Sequence, residues 1–129
     1  MFVDLVMLVD DNDTDNFIHK RIIELTGFAY RIEVKNTAAH ALEYLAEMAG
    51  DLENLPDLIF LDMNMPVSSG ESFLLELQKM PLAVRQKCSI VVLSSQLTTG
   101  KPFAAYPNVK KVLKKPLTED TLNRLKEQL

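Results

Sequence analysis

The chain has 129 residues, 47% of them hydrophobic and 25% charged, and its formal net charge at pH 7 is −4. This is the length of one domain, and such a chain buries enough surface to fold without a disulfide or a structural metal. A mildly acidic chain lacks the basic face that binds nucleic acid, and no apolar run approaches the roughly 20 residues of a membrane span. The single cysteine, Cys88, cannot form an internal disulfide, which favours a reducing compartment. We therefore expect one cytoplasmic domain over residues 1–129, without nucleic acid or membrane partners.

Five short apolar runs, rich in β-branched residues, predict β-strands. They cover residues 5–9, 30–34, 58–61, 90–93 and 109–113. The first, third and fourth runs are almost continuously apolar, which is typical of central strands covered on both faces. The second run alternates, with Tyr30, Ile32 and Val34 separated by charged residues. This alternation predicts an edge strand with one wetter face.

Apolar residues at helical spacing separate these runs. The first set, Phe17, Ile18, Ile22 and Leu25, forms one apolar stripe, and Gly27 ends this helix. A second stripe consists of Ala38, Ala41, Leu42, Leu45 and Met48.

The later helices are indicated by capping residues. Ser68 and Glu71 form a capping box that opens a third helix, whose inward residues are Phe73, Leu74, Leu77 and Met80. Residues 96–108 allow only a short fourth helix, because they contain one glycine and two prolines. Thr118 is the expected N-cap of the last helix, with Leu117 and Leu122 as a hydrophobic staple.

Strands and helices that alternate in this way predict an α/β fold with helices on both faces of a parallel sheet. Right-handed crossovers leave few topologies for five strands. The natural one is the doubly wound, flavodoxin-like order 2-1-3-4-5, with about five helices. Ligands of such sheets bind beyond the carboxyl ends of the strands, beside the point between strands 1 and 3 where the strand order reverses.

Polar side chains follow four of the predicted strands at this edge. They are Asp10 and Asp11 after strand 1, Asp62 at the end of strand 3, Ser94 and Ser95 at the end of strand 4, and Lys114 and Lys115 after strand 5. Three clustered carboxylates repel one another, and a hard divalent cation removes the repulsion. Mg²⁺ prefers oxygen ligands and is usually held by one or two carboxylates together with phosphate oxygens. The pattern therefore predicts a Mg²⁺ site that a phosphate group completes.

A carboxylate at this position can act as a nucleophile toward a phosphoryl group and form an acyl phosphate. Asp62 is the predicted acceptor, because it ends the most central strand and is flanked by the metal-holding pair. Catalysis of phosphoryl transfer rests on positioning and cations, so Lys115 is expected to neutralise charge on the phosphoryl oxygens. Ser94 can donate a hydrogen bond to one of these oxygens, and its movement is a plausible trigger of a switch.

Together these motifs resemble the receiver domain of two-component response regulators of the chemotaxis-regulator type. The matching residues are Asp10-Asp11, Asp62-Met63-Asn64-Met65-Pro66 with Gly70, Ser94, and Lys115-Pro116. The resemblance covers essentially the whole chain, residues 1–129. It implies phosphorylation at Asp62, with Asp11 and Asp62 as direct Mg²⁺ ligands, Asp10 acting mostly through a metal-bound water, and Asn64 contributing its backbone carbonyl.

The resemblance also implies the partners of the chain. A sensor histidine kinase or a histidine phosphotransfer protein would donate the phosphoryl group, slow hydrolysis would remove it, and an unidentified target protein would read the result. The chain would then be a signalling switch that catalyses only its own phosphorylation and dephosphorylation. The chain departs from the family pattern in two places. Val112 stands where an aromatic residue often couples phosphorylation to the outer face, and the helix before strand 5 is expected to be short and interrupted by prolines.

Plainer interpretations exist for several of these residues. Asp10 and Asp11 could simply be polar residues at a strand end, and Asp13 and Asp15 favour the positive start of the first helix. The acidic run 11–15 fails as a calcium loop, because it lacks the turn glycine and the bidentate glutamate. Both histidines, His19 and His40, are most simply surface residues.

Two other functions compete with the switch. A Mg²⁺-dependent phosphohydrolase would need an acid two residues after its nucleophile, where this chain has Asn64. A receiver fold retained only for protein binding would have lost at least one site residue, whereas Asp11, Asp62, Ser94 and Lys115 are all present. Whether the chain acts alone or belongs to a longer protein stays open.

Overall fold

The computed structural model describes residues 2–63, 70–95 and 106–128. Within these residues, five strands and five α-helices follow one another along the chain, and a 3-10 turn covers Leu52–Asn54. The strands are β1 Val3–Val9, β2 Ala29–Lys35, β3 Leu58–Asp62, β4 Ser89–Ser94 and β5 Val109–Lys114. The helices are α1 Asp13–Thr26, α2 Ala38–Glu47, α3 Gly70–Leu77, α4 Leu82–Lys87 and α5 Glu119–Gln128.

All five strands are parallel and lie in the order β2-β1-β3-β4-β5, which confirms the predicted topology. The central strand β3 is buried over its whole length, as its continuous apolar sequence predicts. The outer strands β2 and β5 are partly exposed. In β2 the alternation places Tyr30 on the apolar face with Ile32 and Val34, but its side chain is 68% exposed, so this end of the strand is wet on both faces.

The core consists of two layers, one on each face of the sheet, because successive residues of a strand point to opposite faces. Met7 and Val9 of β1 pack with helices α2 and α3, whereas Val6 and Leu8 pack with α1 and α5. This sandwich holds the carboxyl ends of β1, β3 and β4 at one edge of the sheet.

Helix α1 buries a different face from the one that the sequence predicts. Its buried residues are Asn16, His19 and Ile23, whereas Phe17 and Leu25 of the predicted stripe are 71% and 66% exposed. The expectation that His19 lies at the surface is wrong, since its side chain is 2% exposed. The reason is that the first turns of α1 pack on a polar sheet edge, where Nδ2 of Asn16 donates a hydrogen bond to the carbonyl oxygen of Asp10 at 2.8 Å.

The remaining helices follow the prediction more closely. Phe73, Leu74 and Leu77 of α3 are buried as predicted, and the capping residue Ser68 lies outside the described residues. Helix α4 was not predicted, because its six residues are too few to show a helical period and it follows Pro81. The short helix expected within 96–108 falls mainly on residues 96–105, which are outside the described ones.

The last helix begins as expected, because Oγ1 of Thr118 accepts a hydrogen bond from the backbone N–H of Thr121 at 3.1 Å. Leu117 and Leu122, the predicted staple pair, are both buried in the same core layer. Among the helices of the described ranges, none combines the length and the apolar character that a membrane crossing requires.

Candidate functional site

The carboxyl ends of four strands bring the predicted site residues together. Asp10 follows β1, Asp62 and Ser94 end β3 and β4, and Lys115 follows β5. Backbone hydrogen bonds continue the sheet beyond its last strand residues, since the N–H of Lys115 donates to the carbonyl oxygen of Ser94 at 2.8 Å. The Lys115–Pro116 peptide bond is cis. The parallel sheet therefore places side chains that are distant in sequence at one edge.

Three carboxylates at this edge lie close enough to bind one cation. Asp10, Asp11 and Asp62 each offer an oxygen within 4.8 Å of the others. Asp10 and Asp62 are only 3% and 4% exposed, and Asp11 is exposed. Buried anions this close repel strongly unless positive charge accompanies them. Oxygen ligands of this number and charge fit Mg²⁺, with Asp11 forming the open side toward solvent.

Both carboxylate oxygens of Asp10 accept hydrogen bonds from the chain itself. Oδ1 accepts from the backbone N–H of Asn12 at 2.9 Å, and Oδ2 accepts from Nζ of Lys115 at 2.8 Å. A carboxylate whose oxygens are engaged in this way is suited to an indirect role, in which it orients a neighbouring water or the lysine.

Lys115 is the cation of the site, and its side chain is 15% exposed. Its Nζ lies 2.8 Å from Oδ2 of Asp10, 2.8 Å from Oδ2 of Asp15 and 3.4 Å from Oδ1 of Asp62. Burial by itself lowers the pKa of Lys115, but the hydrogen bonds to Asp10 and Asp15 outweigh burial and hold the pKa above its ordinary value. The lysine is therefore a fixed positive charge at every physiological pH.

Sequence reasoning missed two residues that the structure brings to this site. Asp15 contacts Lys115, whereas the sequence suggested only a favourable position at the start of α1. Buried His19 lies nearby, and burial first, followed by the charge of Lys115, lowers its pKa against the opposing effects of Asp15 and Asp10. A signal was present, since residues 12, 15, 16 and 19 are polar and stand at the spacing i, i+3, i+4 and i+7 of one helix face.

Gly70 supports the segment that carries Asp62. A Cβ atom at Gly70 would lie 3.0 Å from the carbonyl oxygen of Asp62 and 3.0 Å from Cα of Met63, and it would also meet Sδ of Met63. The N–H of Gly70 donates a hydrogen bond to the carbonyl oxygen of Met63 at 3.4 Å. The start of α3 can therefore pack against the end of β3 only because this position has no side chain.

The remaining predicted residues have different placements. Ser94 is buried at the end of β4, next to the site, and Val112 is partly buried in β5, opposite Val92 of β4. Asn64, whose backbone carbonyl was expected to bind the metal, lies outside the described residues.

Comparison with known proteins identifies the family. A sequence profile of the response regulator receiver domain matches residues 6–126 of this chain. FilR2 of Methanothrix harundinacea, a probable methanogenesis regulatory protein, is 29% identical over 126 residues, which are 97% of this chain and 80% of that protein.

Solved structures show the same likeness. A two-component response regulator from Cytophaga hutchinsonii is 29% identical, with a TM-score of 0.84 over 96% of this chain and 94% of that one. A response regulator receiver protein from Dyadobacter fermentans is 27% identical, with a TM-score of 0.82 over 95% and 94% of the two chains. The chain belongs to the response regulator receiver domain family of two-component signalling. Members of this family typically bind Mg²⁺ in an acidic pocket, and Asp10, Asp11 and Asp62 form such a pocket here.

Proposed function

We propose that this chain is a phospho-acceptor switch that receives a phosphoryl group on Asp62 in a Mg²⁺-dependent reaction. The proposal rests on the arrangement of charges around Asp62 at the carboxyl edge of the sheet. Asp62 is buried among carboxylate oxygens that lie within 4.8 Å of one another, and the ammonium of Lys115 is 3.4 Å from its Oδ1. An acceptor carboxylate needs cations on both sides of the incoming group, and this arrangement provides the places for them.

The transfer follows from this geometry. An oxygen of Asp62 attacks phosphorus, the new O–P bond forms, and the N–P bond of the phosphohistidine donor breaks. The electron pair of that bond stays on the donor imidazole, which takes up a proton. Mg²⁺ held by Asp11, Asp62 and the carbonyl of Asn64 would neutralise charge on the transferred oxygens. Lys115 stabilises the same charge from the protein side.

The response to phosphorylation is proposed to begin at Ser94 and Lys115. Ser94 ends β4, which is next to β3, and Lys115 follows β5 on the far side of β4. A backbone hydrogen bond of 2.8 Å joins the two residues. A hydrogen bond from Ser94 to a phosphoryl oxygen would draw the end of β4 toward Asp62. Val112 pairs with Val92 in the neighbouring strand, so it is the proposed position at which this movement reaches the outer surface. A downstream target protein would bind there.

The proposed phosphodonor is a sensor histidine kinase or a histidine phosphotransfer protein. The exposed side of α1 supports this partner class, because Phe17 and Ile18, near the start of the helix that begins beside the acidic pocket, are 71% and 44% exposed. An apolar patch of this kind marks a protein-binding surface. We further propose that one receiver domain spans residues 1–129 and that it acts in the reducing cytoplasm, which suits the unpaired, buried Cys88.

The test is labelling with acetyl phosphate, which needs no protein donor. Incubation with acetyl phosphate and Mg²⁺ should add one phosphoryl group, and intact mass and base lability of the adduct measure it. Asp62→Ala should abolish labelling, and removal of Mg²⁺ with a chelator should suppress it. Lys115→Ala should still be labelled but should show weaker phosphorylation-dependent NMR shifts.

Asp57→Ala is a suitable control, because Asp57 is another aspartate of the β3 region but lies at the opposite edge of the sheet, paired with Lys87. It should be labelled like the wild type. Labelling that survives Asp62→Ala would mean that another residue is the acceptor. No labelling and no Mg²⁺ binding in the wild type would leave a protein-binding scaffold as the function.

A further inference from the structure

Asp15 lies as close to Lys115 as Asp10 does. The distance from Nζ of Lys115 to Oδ2 is 2.8 Å for both Asp15 and Asp10, against 3.4 Å to Oδ1 of Asp62. The side chain of Asp15 is 33% exposed, and its backbone N–H donates to Oδ1 of Asn12 at 2.9 Å. The N-cap of α1 therefore fixes the turn that brings Asp15 to Lys115.

This carboxylate stands apart from the others of the site. The group that can bind one cation consists of Asp10, Asp11 and Asp62, and Asp15 is not part of it. In the described ranges of the chain, Asp15 forms one ion pair, the one with Lys115. Its charge is therefore balanced by the lysine that the phosphoryl group also needs.

The carboxylates around Lys115 and a phosphoryl group on Asp62 compete for the N–H donors of the lysine. An ammonium group has three N–H donors, and Nζ of Lys115 already has three carboxylates within 3.4 Å. A phosphoryl group on Asp62 can take the donor nearest Asp62, but it can gain a second hydrogen bond from Nζ only if Asp10 or Asp15 releases the lysine. Asp10 is 3% exposed and would become a buried, unpaired anion, whereas Asp15 can be hydrated when it releases the lysine.

We propose that Asp15 is a positioning residue that holds Lys115 in the unphosphorylated protein and competes with the phosphoryl group for its ammonium. This inference rests on the proposed function and adds a means of regulating it. Asp15 opposes the phosphorylated state, because the lysine must leave it to donate a second hydrogen bond to the phosphoryl oxygens. The residue at this position of α1 thereby sets how readily the switch is turned on.

The test compares Asp15→Asn with Asp13→Asn by titrating each protein with beryllofluoride, a phosphoryl stand-in, at fixed Mg²⁺. Asp13 is a matched control, since it is exposed in the same turn of α1 and its substitution changes the net charge equally. Asp15→Asn should bind beryllofluoride about two- to fivefold more tightly than Asp13→Asn, the range expected for one partly exposed ion pair. Asp15→Glu should restore the affinity of the wild type.

Two further measurements show whether Asp15 acts through the lysine. In a Lys115→Met background, Asp15→Asn should no longer change the beryllofluoride affinity, as a double-mutant cycle requires. In the metal-free protein, Asp15→Asn should speed hydrogen exchange of the Lys115 ammonium, which NMR of ¹⁵N-labelled lysine detects.

The outcomes separate this inference from the proposed function. If the wild type binds beryllofluoride and Asp15→Asn matches Asp13→Asn or binds more weakly, Asp15 does not compete for the lysine and the inference is wrong, while the phospho-acceptor function stands. If the wild type itself does not bind beryllofluoride with Mg²⁺, the proposed function fails and this inference fails with it.

Discussion

The two edges of the sheet use aspartate in opposite ways. At the amino edge, Oδ2 of Asp57 accepts hydrogen bonds from the backbone N–H groups of Asp4 and Leu5, each at 3.1 Å, and Oδ1 lies 3.2 Å from Nζ of Lys87. One negative charge there meets one positive charge and two backbone donors. At the carboxyl edge, the carboxylates of Asp10, Asp15 and Asp62 lie within 3.4 Å of the ammonium of Lys115, and Asp11 lies beside Asp10 and Asp62.

The difference shows how to separate a structural carboxylate from a functional one. Asp57 is balanced by groups of the folded chain, so it joins β1 to the start of β3 and needs no ligand. Among the described residues, the carboxyl edge carries more negative charge than Lys115 can balance, and that excess opposes folding until a cation binds. A carboxylate whose charge the fold itself does not balance is thus a sign of a binding site.

The largest expected effect comes from removing one aspartate at each edge. Asp57→Ala should lower the free energy of unfolding by about 2 to 3 kcal/mol, because two backbone donors and a lysine lose their acceptor. Asp62→Ala should raise the free energy of unfolding of the metal-free protein by about 1 kcal/mol, because it relieves repulsion among the remaining carboxylates. Urea denaturation with a chelator present measures both. Equal destabilisation by the two substitutions would contradict the comparison.

A smaller effect is expected where the carboxyl edge depends on close packing. Gly70→Ala should cost about 1 to 2 kcal/mol of stability, because the new methyl group must displace the backbone of Asp62 and Met63. It should also slow labelling by acetyl phosphate, since the acceptor carboxylate moves with that backbone. Gly50→Ala is the matched control, because a Cβ there would have no atom within 4 Å. Unchanged labelling in a destabilised Gly70→Ala protein would show that the contact is only structural.

The smallest effect is a pH dependence that originates at His19. Burial and Lys115 lower the pKa of His19 in the folded protein, so the unfolded chain binds the proton more readily. Stability should therefore decrease as the pH falls below the ordinary histidine value of about 6.5 and on toward the lowered pKa of the folded state.

The measurement for His19 is urea denaturation between pH 7.5 and pH 5. In His19→Gln, stability should decrease less steeply as the pH falls, even if the substitution lowers stability at every pH. His40→Gln, on the exposed side of α2, should leave the steepness unchanged. A decrease of the same steepness in His19→Gln would assign the pH dependence to other groups.

Much of the fold could be predicted because each feature leaves a local pattern. The continuously apolar β3 and the alternating β2 indicated a central and an edge strand, and both lie where they were expected. The inward residues of α3 and the start of α5 at Thr118 were predicted from spacing and capping. Helix α4 was not, since six residues after a proline carry too little periodicity to be recognised.

The rotation of α1 about its axis could not be predicted from apolarity. The hydrophobic residues Phe17 and Leu25 face outward, whereas Asn16 and His19 face the sheet. A helix usually buries its apolar side, but here the surface that receives its first turns is itself polar. Hydrogen bonds at that edge therefore decided which side of α1 is buried.

The sequence by itself determined that Asp10, Asp11, Asp62, Ser94 and Lys115 would meet, because parallel strands place whatever follows them at one edge of the sheet. Only the tertiary structure decided that Asp15 would form an ion pair with Lys115 and that His19 would be buried nearby. Asp15 and Lys115 are 100 residues apart in the chain, and their contact depends on how α1 is rotated against the end of β5. Sequence periodicity specifies which residues share a face of a helix, but packing selects the face that is buried.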